Sequence, residues 1–371
     1  MRVLHVGKFY PPYRGGMETH LQILAERLQR SVDVRVVVSS STRSGARERI
    51  NGIDVTRLAT SVRIAGASVS YGLRRLMADT DAEIVHLHLP NPTAILAYLA
   101  SGRRGPLIVT YHSDIVRQAI LGAAFAPILH RFLSQCTAII VGSPNYLESS
   151  STLRRHKDRC HVIPFGIDLE PYACADIAAV AEIRQQYGPR LVLGVGRLVG
   201  YKGFSYLLDA MPSARCHLLI AGEGPLRGEL ERQSVRLGVA DRVTWLGDVA
   251  DVAPYYHAAD LFVLSSVTRA EAFGLAQLEA MASGKPVVNT NLASGVPFVS
   301  RTGETGLTVP PRDAPALANA INRILDETEL RVAMGNAARR RALECFGATT
   351  MVQRTLDLYR RVLNTNARSV T

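Results

Sequence analysis

Two glutamates eight residues apart give the strongest indication of chemistry in this sequence. Glu271 stands in a predicted loop, and Glu279 falls about one and a half turns into a predicted helix. Gly274 begins that helix, and Gly284-Lys285-Pro286 ends it and starts a strand. Carboxylates accept hydrogen bonds from the vicinal hydroxyls of ribose and sugars, and the helix N-terminus between them favours a phosphate. Sugar, phosphate and ribose sites in a row predict a site for a nucleotide sugar.

The loop from Gly194 to Gly203 supplies two cations directly after a predicted strand. Its glycines follow G-x-G-x-x-x-G, one residue longer than the dinucleotide fingerprint. No acidic residue follows at a strand end about 20 positions on, so a dehydrogenase is disfavoured. The planar guanidinium of Arg197, which can bind two oxygens at once, and the compact ammonium of Lys202 suit a diphosphate. The alternative is that both are solvated surface cations.

Two loops in the N-terminal half also follow predicted strands. Gly15 and Gly16 precede a helix that begins at Met17, so backbone N–H groups and the helix dipole favour an anion there. A simple tight turn is the alternative. His112 follows the strand Leu107–Tyr111 and is placed to hydrogen-bond a substrate or to stabilise a developing charge. The alternative is a structural histidine whose hydrogen bonds are all made within the protein.

The histidine and cysteine spacings do not predict a metal site. His86 and His88 share one face of a predicted strand, but no third ligand lies near them in the sequence. The five cysteines are scattered without a CxxC pair. In a chain with no export signal they are expected to be reduced thiols. We therefore expect neither a metal nor a cofactor.

The positive charge of the chain is concentrated in its first half. The net charge is +11, and residues 1–165 hold 21 Lys and Arg against 11 Asp and Glu. Such a basic face suits nucleic acid, anionic lipid or a phosphorylated substrate. The alternative is that the excess of arginine reflects an arginine-rich proteome and not a binding partner. A nucleic-acid binder would explain the charge but not the paired glutamates. No nucleic-acid partner is therefore expected.

Short apolar strands alternate with helical segments along the whole chain, which is typical of parallel sheets covered on both faces. Strands are predicted at Val3–Val6, Val34–Val38, Ile84–Leu87, Leu107–Tyr111, Ala138–Val141, Leu191–Val195, His217–Ala221, Val243–Leu246, Leu261–Leu264, Pro286–Asn289 and Gly306–Val309. Helices are predicted at Met17–Arg30 and near 203–211, 224–237, 274–283, 314–327 and 349–364.

The alternation restarts after a Pro- and Gly-punctuated linker at His161–Asp168. This predicts two doubly wound α/β domains, residues 1–168 and 169–348. Open parallel sheets bind ligands at the carboxyl ends of their strands, so we expect the two domains to face each other across one cleft.

No membrane-spanning segment is predicted. The longest apolar stretch, Ala119–Leu129, is shorter than the ~18 residues that a spanning helix needs. The apolar run at the N-terminus is too short for a signal peptide. A cytoplasmic protein is therefore expected.

In this order, the motifs resemble those of the retaining glycosyltransferases with the GT-B fold, the group-one class known as family four. Glu271 and Glu279 match the family's E-x7-E motif. Further matches run along nearly the whole chain: Tyr10-x-Pro12-x-x-Gly15-Gly16-x-Glu18, His86-x-His88-x-Pro90, the linker at Val162–Asp168, Gly196-Arg197-Leu198 with Lys202-Gly203, Ala221–Pro225 and Gly306–Pro311.

The resemblance implies roles for individual residues. Arg197 and Lys202 would hold the donor's diphosphate and stabilise the leaving group, Glu271 would bind hydroxyls of the donor sugar, and Glu279 those of the ribose. Backbone N–H groups at Phe273, Gly274 and Leu275 would support sugar and phosphate. Gly15 and Gly16 would line the cleft, and His112 would face the sugar. No divalent metal would be required, and the last helix, at about 349–371, would pack back on the N-terminal domain.

The resemblance also bears on substrates. The segment Val288–Val299 is similar to that of mannosyltransferases of bacterial surface-polysaccharide assembly, which implies a GDP-sugar, above all GDP-mannose, with a UDP-sugar as the alternative. A glycan or polyprenyl-diphosphate-linked acceptor would suit the basic half. The apolar run between Arg117 and Arg131 would lie on an anionic membrane at its cytoplasmic face, or form an ordinary buried helix. We expect a front-face mechanism rather than a double displacement, because no residue stands out as the nucleophile. A GT-B sugar-nucleotide epimerase or binding protein is the rival from another class.

Overall fold

The computed structural model describes residues 1–13, 15–40, 42–64, 67–114 and 119–368. The chain divides into two compact units, residues 1–166 with 348–371, and residues 167–347. The predicted boundary at residue 168 lies two residues beyond this division, and the predicted start of the returning helix lies one residue past Ala348.

The first unit is built on an eight-stranded sheet of order β10-β9-β8-β7-β1-β2-β4-β3, in which β3 alone of the described strands is antiparallel to its neighbour. A separate hairpin pairs β5 with β6. The strands are β1 Arg2–Val6, β2 Asp33–Ser39, β3 Ala46–Ile50, β4 Ile53–Leu58, β5 Val62–Ile64, β6 Ala67–Val69, β7 Ile84–Leu89, β8 Leu107–Tyr111, β9 Ala138–Val141 and β10 Cys160–Val162. The helices are α1 Gly16–Leu28, α2 Gly72–Asp79, α3 Pro92–Ser101, α4 Ala119–Leu133, α5 Pro144–Ser149, α6 Ser151–Arg154 and α15 Ala348–Arg368.

Burial explains why the central strands of this sheet form where the sequence predicts them. β7, β8 and β9 are buried at every position, as expected for strands covered on both faces. Helices α1 and α15 pack against each other over one face of the sheet. The last helix therefore belongs to the core of the N-terminal unit.

The second unit is built on a six-stranded parallel sheet of order β13-β12-β11-β14-β15-β16. Its strands are β11 Leu191–Val195, β12 His217–Ala221, β13 Val243–Gly247, β14 Leu261–Leu264, β15 Val287–Thr290 and β16 Gly306–Val309. Its helices are α7 Ile177–Tyr187, α8 Phe204–Ala210, α9 Arg227–Arg236, α10 Ala253–Ala258, α11 Leu275–Ala282, α12 Val296–Val299, α13 Ala314–Asp326 and α14 Thr328–Cys345. The strand order reverses direction at β11 and β14, and ligands of open sheets bind beside such a point.

The predicted strands are confirmed within one or two residues at each end. The short strands β3 to β6 and β10 were not predicted. β3 has four exposed residues out of five and carries Arg47, Glu48 and Arg49, so it has no apolar pattern to detect. It forms because it pairs with β4 at the edge of the sheet.

Among the described residues, no helix is both long and apolar enough to span a bilayer. The apolar run Ala119–Leu129 lies in α4, whose last turn buries Phe132 and Leu133 completely. Arg117, the predicted basic boundary of this run, lies outside the described residues.

Candidate functional site

Lys202 and Glu271 form an ion pair at the carboxyl end of the second sheet. Lys202 Nζ lies 2.6 Å from Glu271 Oε2, and the two side chains are 13% and 9% exposed. Ser266 Oγ donates to the same Oε2 at 2.9 Å. Burial alone would lower the pKa of Lys202, but Glu271 raises it above its usual value. Lys202 is therefore charged, and its ion pair with Glu271 holds both side chains in place. Glu271 Oε1 accepts no hydrogen bond from the described part of the chain.

Glu279 is held by two tyrosines. Tyr256 donates from its hydroxyl to Glu279 Oε2 at 2.8 Å, and Tyr172 is a second hydrogen-bond partner of this carboxylate. The two phenol rings meet edge to face at 5.9 Å. Burial raises the pKa of Glu279 to about 7, although Tyr256, the charge of Lys202 and Tyr172 all lower it. Near neutral pH the Glu279 carboxyl group is thus protonated in some of the molecules and ionised in the others.

Helix α11 starts between Glu271 and Glu279, within one residue of the predicted position. Gly274 is the N-cap residue of α11 with φ +76°, and a Cβ there would lie 2.7 Å from Leu264 Cδ2. Buried Gln277 donates to Phe273 O at 2.7 Å and so ties the preceding loop to the helix. Backbone N–H groups at the start of a helix have no intrahelical partner and remain available for an anion.

The loop that carries Arg197 is positioned by close backbone contacts. A Cβ on Gly222 would lie 2.2 Å from Gly196 O, and one on Gly203 would lie 2.1 Å from Ser265 O. Ser265 Oγ also donates to Lys202 O at 3.0 Å. Arg197 itself is exposed, and its guanidinium makes no ion pair with the residues that the structure describes. A diphosphate near Lys202 would give it a partner.

Gly15 and Gly16 lie in the first unit, where Gly15 is the N-cap residue of α1. A Cβ on Gly15 would lie 2.4 Å from Glu18 Oε2, so the Glu18 carboxyl group stands at this helix N-terminus. Burial raises the pKa of Glu18. Because a carboxyl group already lies here, the loop suits a ligand hydroxyl better than a free anion.

His112 belongs to a cluster of five buried histidines in the first unit, formed by His5, His20, His86, His88 and His112. We call it the histidine cluster. β1, β7 and β8 lie side by side, and His5 is paired with His86 and His88 with Thr110 across them. Burial lowers the pKa of all five histidines, to about 3 for His5 and His20. The imidazoles are therefore neutral.

Two groups of three within the cluster hold ring nitrogens within 4.8 Å of one another: His5 with His86 and His88, and His20 with His88 and His112. Although no third ligand lies near His86 and His88 in the sequence, the fold brings His5 of β1 beside them, and α1 brings His20 beside His88 and His112. No carboxylate or thiolate belongs to either group among the described residues. The cluster thus offers nitrogen donors but no negative charge to offset a buried cation.

Comparison with known proteins decides the family. The family model described as "Glycosyltransferase Family 4" matches residues 14–171, and "Glycosyl transferases group 1" matches residues 176–341. The chain is 32% identical to the D-rhamnosyltransferase WbpZ of Pseudomonas aeruginosa, over 94% of this chain and 93% of that protein. This chain belongs to the group 1 glycosyltransferases.

Further relatives and solved structures agree with this assignment. The glycosyltransferase is 31% identical to the O-antigen chain mannosyltransferase C of Escherichia coli, over 99% of this chain and all of that protein. It is 32% identical to a GDP-mannose-dependent phosphatidylinositol monomannoside mannosyltransferase of Mycobacterium tuberculosis, over 97% of this chain and 98% of that protein. In fold it is similar to HepE of Anabaena, solved with UDP, at a TM-score of 0.80 and 20% identity over 97% of this chain and all of that one. The resemblance stated from the motifs and the GT-B fold class are confirmed.

The predicted site residues of the glycosyltransferase are divided between the two units. Lys202, Glu271 and Glu279 lie close in the second unit, whereas Gly15, Gly16 and His112 belong to the first. Sequence reasoning missed Ser266, Tyr172 and Tyr256. Ser266 stands two residues after β14, so the search of post-strand loops could have found it. No pattern marks the two tyrosines, because folding alone brings them to Glu279.

Proposed function

We propose that this glycosyltransferase moves a hexosyl unit, with retention at the anomeric carbon, from a GDP-sugar to a hydroxyl of a lipid-linked glycan in bacterial polysaccharide assembly. GDP-mannose is the proposed donor. Its support is the names of relatives, since two of those described above are mannosyltransferases and one is GDP-mannose-dependent. Because another relative is a D-rhamnosyltransferase, a donor that carries a related hexose is the alternative.

The observation that carries the proposal is the Lys202–Glu271 pair beside the Glu279 carboxyl group. An ammonium has three N–H donors, so Lys202 keeps donors for phosphate oxygens while one is shared with Glu271. Arg197 adds a bidentate fork for the same diphosphate. As the glycosidic bond breaks, these two cations stabilise the negative charge that develops on the departing phosphate.

The two glutamates are suited to two different sets of hydroxyls. Glu271 Oε2 is occupied by Lys202 and Ser266, which leaves Oε1 to accept from a donor-sugar hydroxyl. Glu279, fixed by Tyr256 and Tyr172, accepts from the ribose hydroxyls. The backbone N–H groups at Phe273, Gly274 and Leu275 support the sugar and phosphate between them.

In the proposed front-face route the incoming hydroxyl approaches on the side from which the phosphate leaves. The departing phosphate oxygen takes the hydroxyl proton while the new bond forms, so configuration is retained without an enzyme nucleophile. Trapping a covalent glycosyl–enzyme adduct would contradict this route. No metal takes part in the proposal, and transfer is expected to be unchanged by EDTA.

Calorimetric titration of the full chain with GDP, UDP and ADP tests the donor. We expect selective binding of GDP, weakened in Glu279→Ala, and then transfer from GDP-mannose to a mannose-containing lipid-linked acceptor. Preference for UDP would reject the GDP-sugar while keeping the transferase class. Donor turnover to an isomer without any acceptor would favour the epimerase alternative, and absence of nucleotide binding would overturn the site assignment.

A further inference from the structure

The C-terminal end of the short helix α10 in the second unit is held by Lys285. Lys285 Nζ donates to His257 O at 2.9 Å, and His257 lies in the last turn of α10. The final carbonyl groups of a helix have no intrahelical partner, so a lysine amino group there satisfies one of them. Because α10 has only six residues, its position depends on such contacts with neighbouring elements.

The ring of His257 binds the segment that carries Tyr172. It is hydrogen-bonded to the backbone of Tyr172, in the 3-10 turn Glu170–Tyr172. Its Nε2 is buried and has no partner among the described residues, so Nδ1 makes this bond. Burial and the charges of Lys285 and Arg339 lower the pKa of His257. The ring is therefore neutral, and its single N–H is donated to the Tyr172 carbonyl.

Both tyrosines that hold Glu279 depend on these two contacts. Tyr256 directly precedes His257 on α10, and its hydroxyl lies 2.8 Å from Glu279 Oε2. Tyr172, on the turn that His257 binds, is the second partner of this carboxylate. Both phenols lower the pKa of Glu279 below the value that burial alone would give it. A shift of α10 would therefore remove both donors and leave the buried carboxyl group protonated and free to turn.

Lys285 lies at the edge of the second sheet opposite to the ligand-binding loops. It stands two residues before β15 and so at the amino-terminal edge of that strand. Lys202 and Glu271 follow strands and lie at the carboxyl edge, where ligands of parallel sheets bind. Helix α11 runs from the carboxyl edge to the amino edge, with Glu279 inside it and Lys285 three residues past its end. Any effect of Lys285 on a bound nucleotide must therefore pass through other residues.

We infer that Lys285 and His257 are positioning residues for the ribose of the nucleotide, because they hold Tyr256 and Tyr172 against the carboxylate of Glu279. The ribose contact of Glu279 rests on the proposed function, whereas the contacts that run from Lys285 to Glu279 rest on the hydrogen bonds alone. Neither the base nor the donor sugar enters the inference, so it applies equally to a GDP-sugar and to a UDP-sugar.

Calorimetric titration of the full chain with GDP and with 2′,3′-dideoxy-GDP measures the contribution of the ribose hydroxyls. We expect the wild type to prefer GDP, because only GDP offers these hydroxyls to Glu279. Lys285→Met removes the amino group but keeps an unbranched side chain, and should reduce the preference about three- to tenfold, as expected for one hydrogen bond. Lys285→Arg supplies a donor again and should recover most of the preference. His257→Phe, which keeps a ring without the N–H, should act like Lys285→Met.

Arg331→Met is the matched control in the second unit. Arg331 Nη1 donates to Leu325 O at 2.8 Å and so binds the C-terminal end of α13, as Lys285 binds that of α10. Arg331→Met should lower the thermal stability as Lys285→Met does, and should leave the preference for GDP unchanged. In a Glu279→Gln background, Lys285→Met should have no further effect on the preference, since the carboxylate through which it acts is absent.

Equal losses of affinity for GDP and dideoxy-GDP in Lys285→Met would overturn the positioning role, as would a change in preference that persists in the Glu279→Gln background. If Lys285→Met does not fold, His257→Phe decides between these outcomes. Parallel titrations with UDP and 2′,3′-dideoxy-UDP separate the inference from the proposed donor. Tighter binding of UDP with the same dependence on Lys285 would reject the GDP-sugar and support the positioning role. A wild type that binds neither nucleotide better than its dideoxy form would overturn the ribose contact and the positioning role together.

Discussion

At the scale of single residues, two carboxyl groups of the same type differ because of their neighbours. Glu271 forms an ion pair with Lys202 at 2.6 Å. Glu279 instead accepts hydrogen bonds from two phenol groups and feels the charge of Lys202 from farther away. The first is fixed as a charged partner of Lys202. The second has a pKa of about 7 and changes its charge in the physiological range.

Glu279 should make nucleotide binding depend on pH. Its pKa is raised from 4.5 to about 7, so the carboxylate that we propose as the acceptor for ribose hydroxyls is present above pH 7 and lost below it. Affinity for the nucleotide should therefore rise through pH 7. Calorimetry from about pH 5.5 to 8.5 measures it, with Glu279→Gln as the control that shows only the titration of the phosphates. Parallel profiles for the two proteins would refute this role of Glu279.

The Lys202–Glu271 pair should be strongly coupled. Lys202→Met leaves a buried carboxylate without its cation and should cost about 3–5 kcal/mol in the free energy of unfolding of the second unit, with a loss of about 10²- to 10³-fold in kcat. Lys202→Met combined with Glu271→Gln should cost clearly less than the two single changes together. Urea unfolding of the four proteins measures the coupling. Additive costs would mean that the pair is not formed in solution.

At the scale of elements, glycines decide where the Lys202 loop lies. Gly203 and Gly238 both follow a helical turn with nearly the same backbone, φ +68° and +66°. A Cβ on Gly203 would lie 2.1 Å from Ser265 O, whereas around Gly238 nothing lies within 4 Å. The two positions therefore share the conformational strain and differ only in the close contact.

Gly203→Ala should damage the enzyme far more than Gly238→Ala. Both changes cost about 1 kcal/mol for the left-handed backbone, but only the first forces the Lys202 loop away from β14. Gly203→Ala should thus reduce nucleotide affinity by at least an order of magnitude, while Gly238→Ala should bind as the wild type does. Thermal unfolding and nucleotide titration of both variants provide the comparison. Equal effects would show that strain, not contact, matters at Gly203.

At the scale of the whole molecule, the compact units differ sharply in charge. Residues 1–166 with 348–371 hold 25 Lys and Arg against 12 Asp and Glu, a net +13, while residues 167–347 hold 18 against 20, a net −2. The division seen in the structure therefore sharpens the asymmetry found along the sequence, because α15 adds its arginines to the first unit. Such a charge favours an anionic surface.

We expect the protein to float with vesicles that contain anionic lipid and not with neutral ones, and 1 M salt should release it. Reversing the exposed pair Arg360 and Arg361 on α15 to glutamate should weaken flotation. The same reversal at exposed Arg236 and Arg323 of the second unit should not. Absence of binding to either kind of vesicle would reject membrane contact.

The buried strands of both sheets could be predicted from the sequence, because strands covered on both faces need continuous apolar runs that are visible in one dimension. The short strands β3 to β6 and β10 could not. The sequence also predicted Arg197, Lys202, Glu271 and Glu279 as candidate binding residues, since ligands of parallel sheets bind in the loops that follow the strands. It placed α11 to within a residue from Gly274 and Gly284.

Tertiary structure alone decided which side chains meet. Tyr172 and Tyr256 reach Glu279 from separate elements, and His5, His88 and Tyr359 come together only because β1, β7 and α15 become neighbours in one unit. Hydrogen bonds and burial between distant segments leave no periodic trace in the sequence. The charge state of Glu279 depends on such contacts, because desolvation is a property of the packed surroundings and not of residue type.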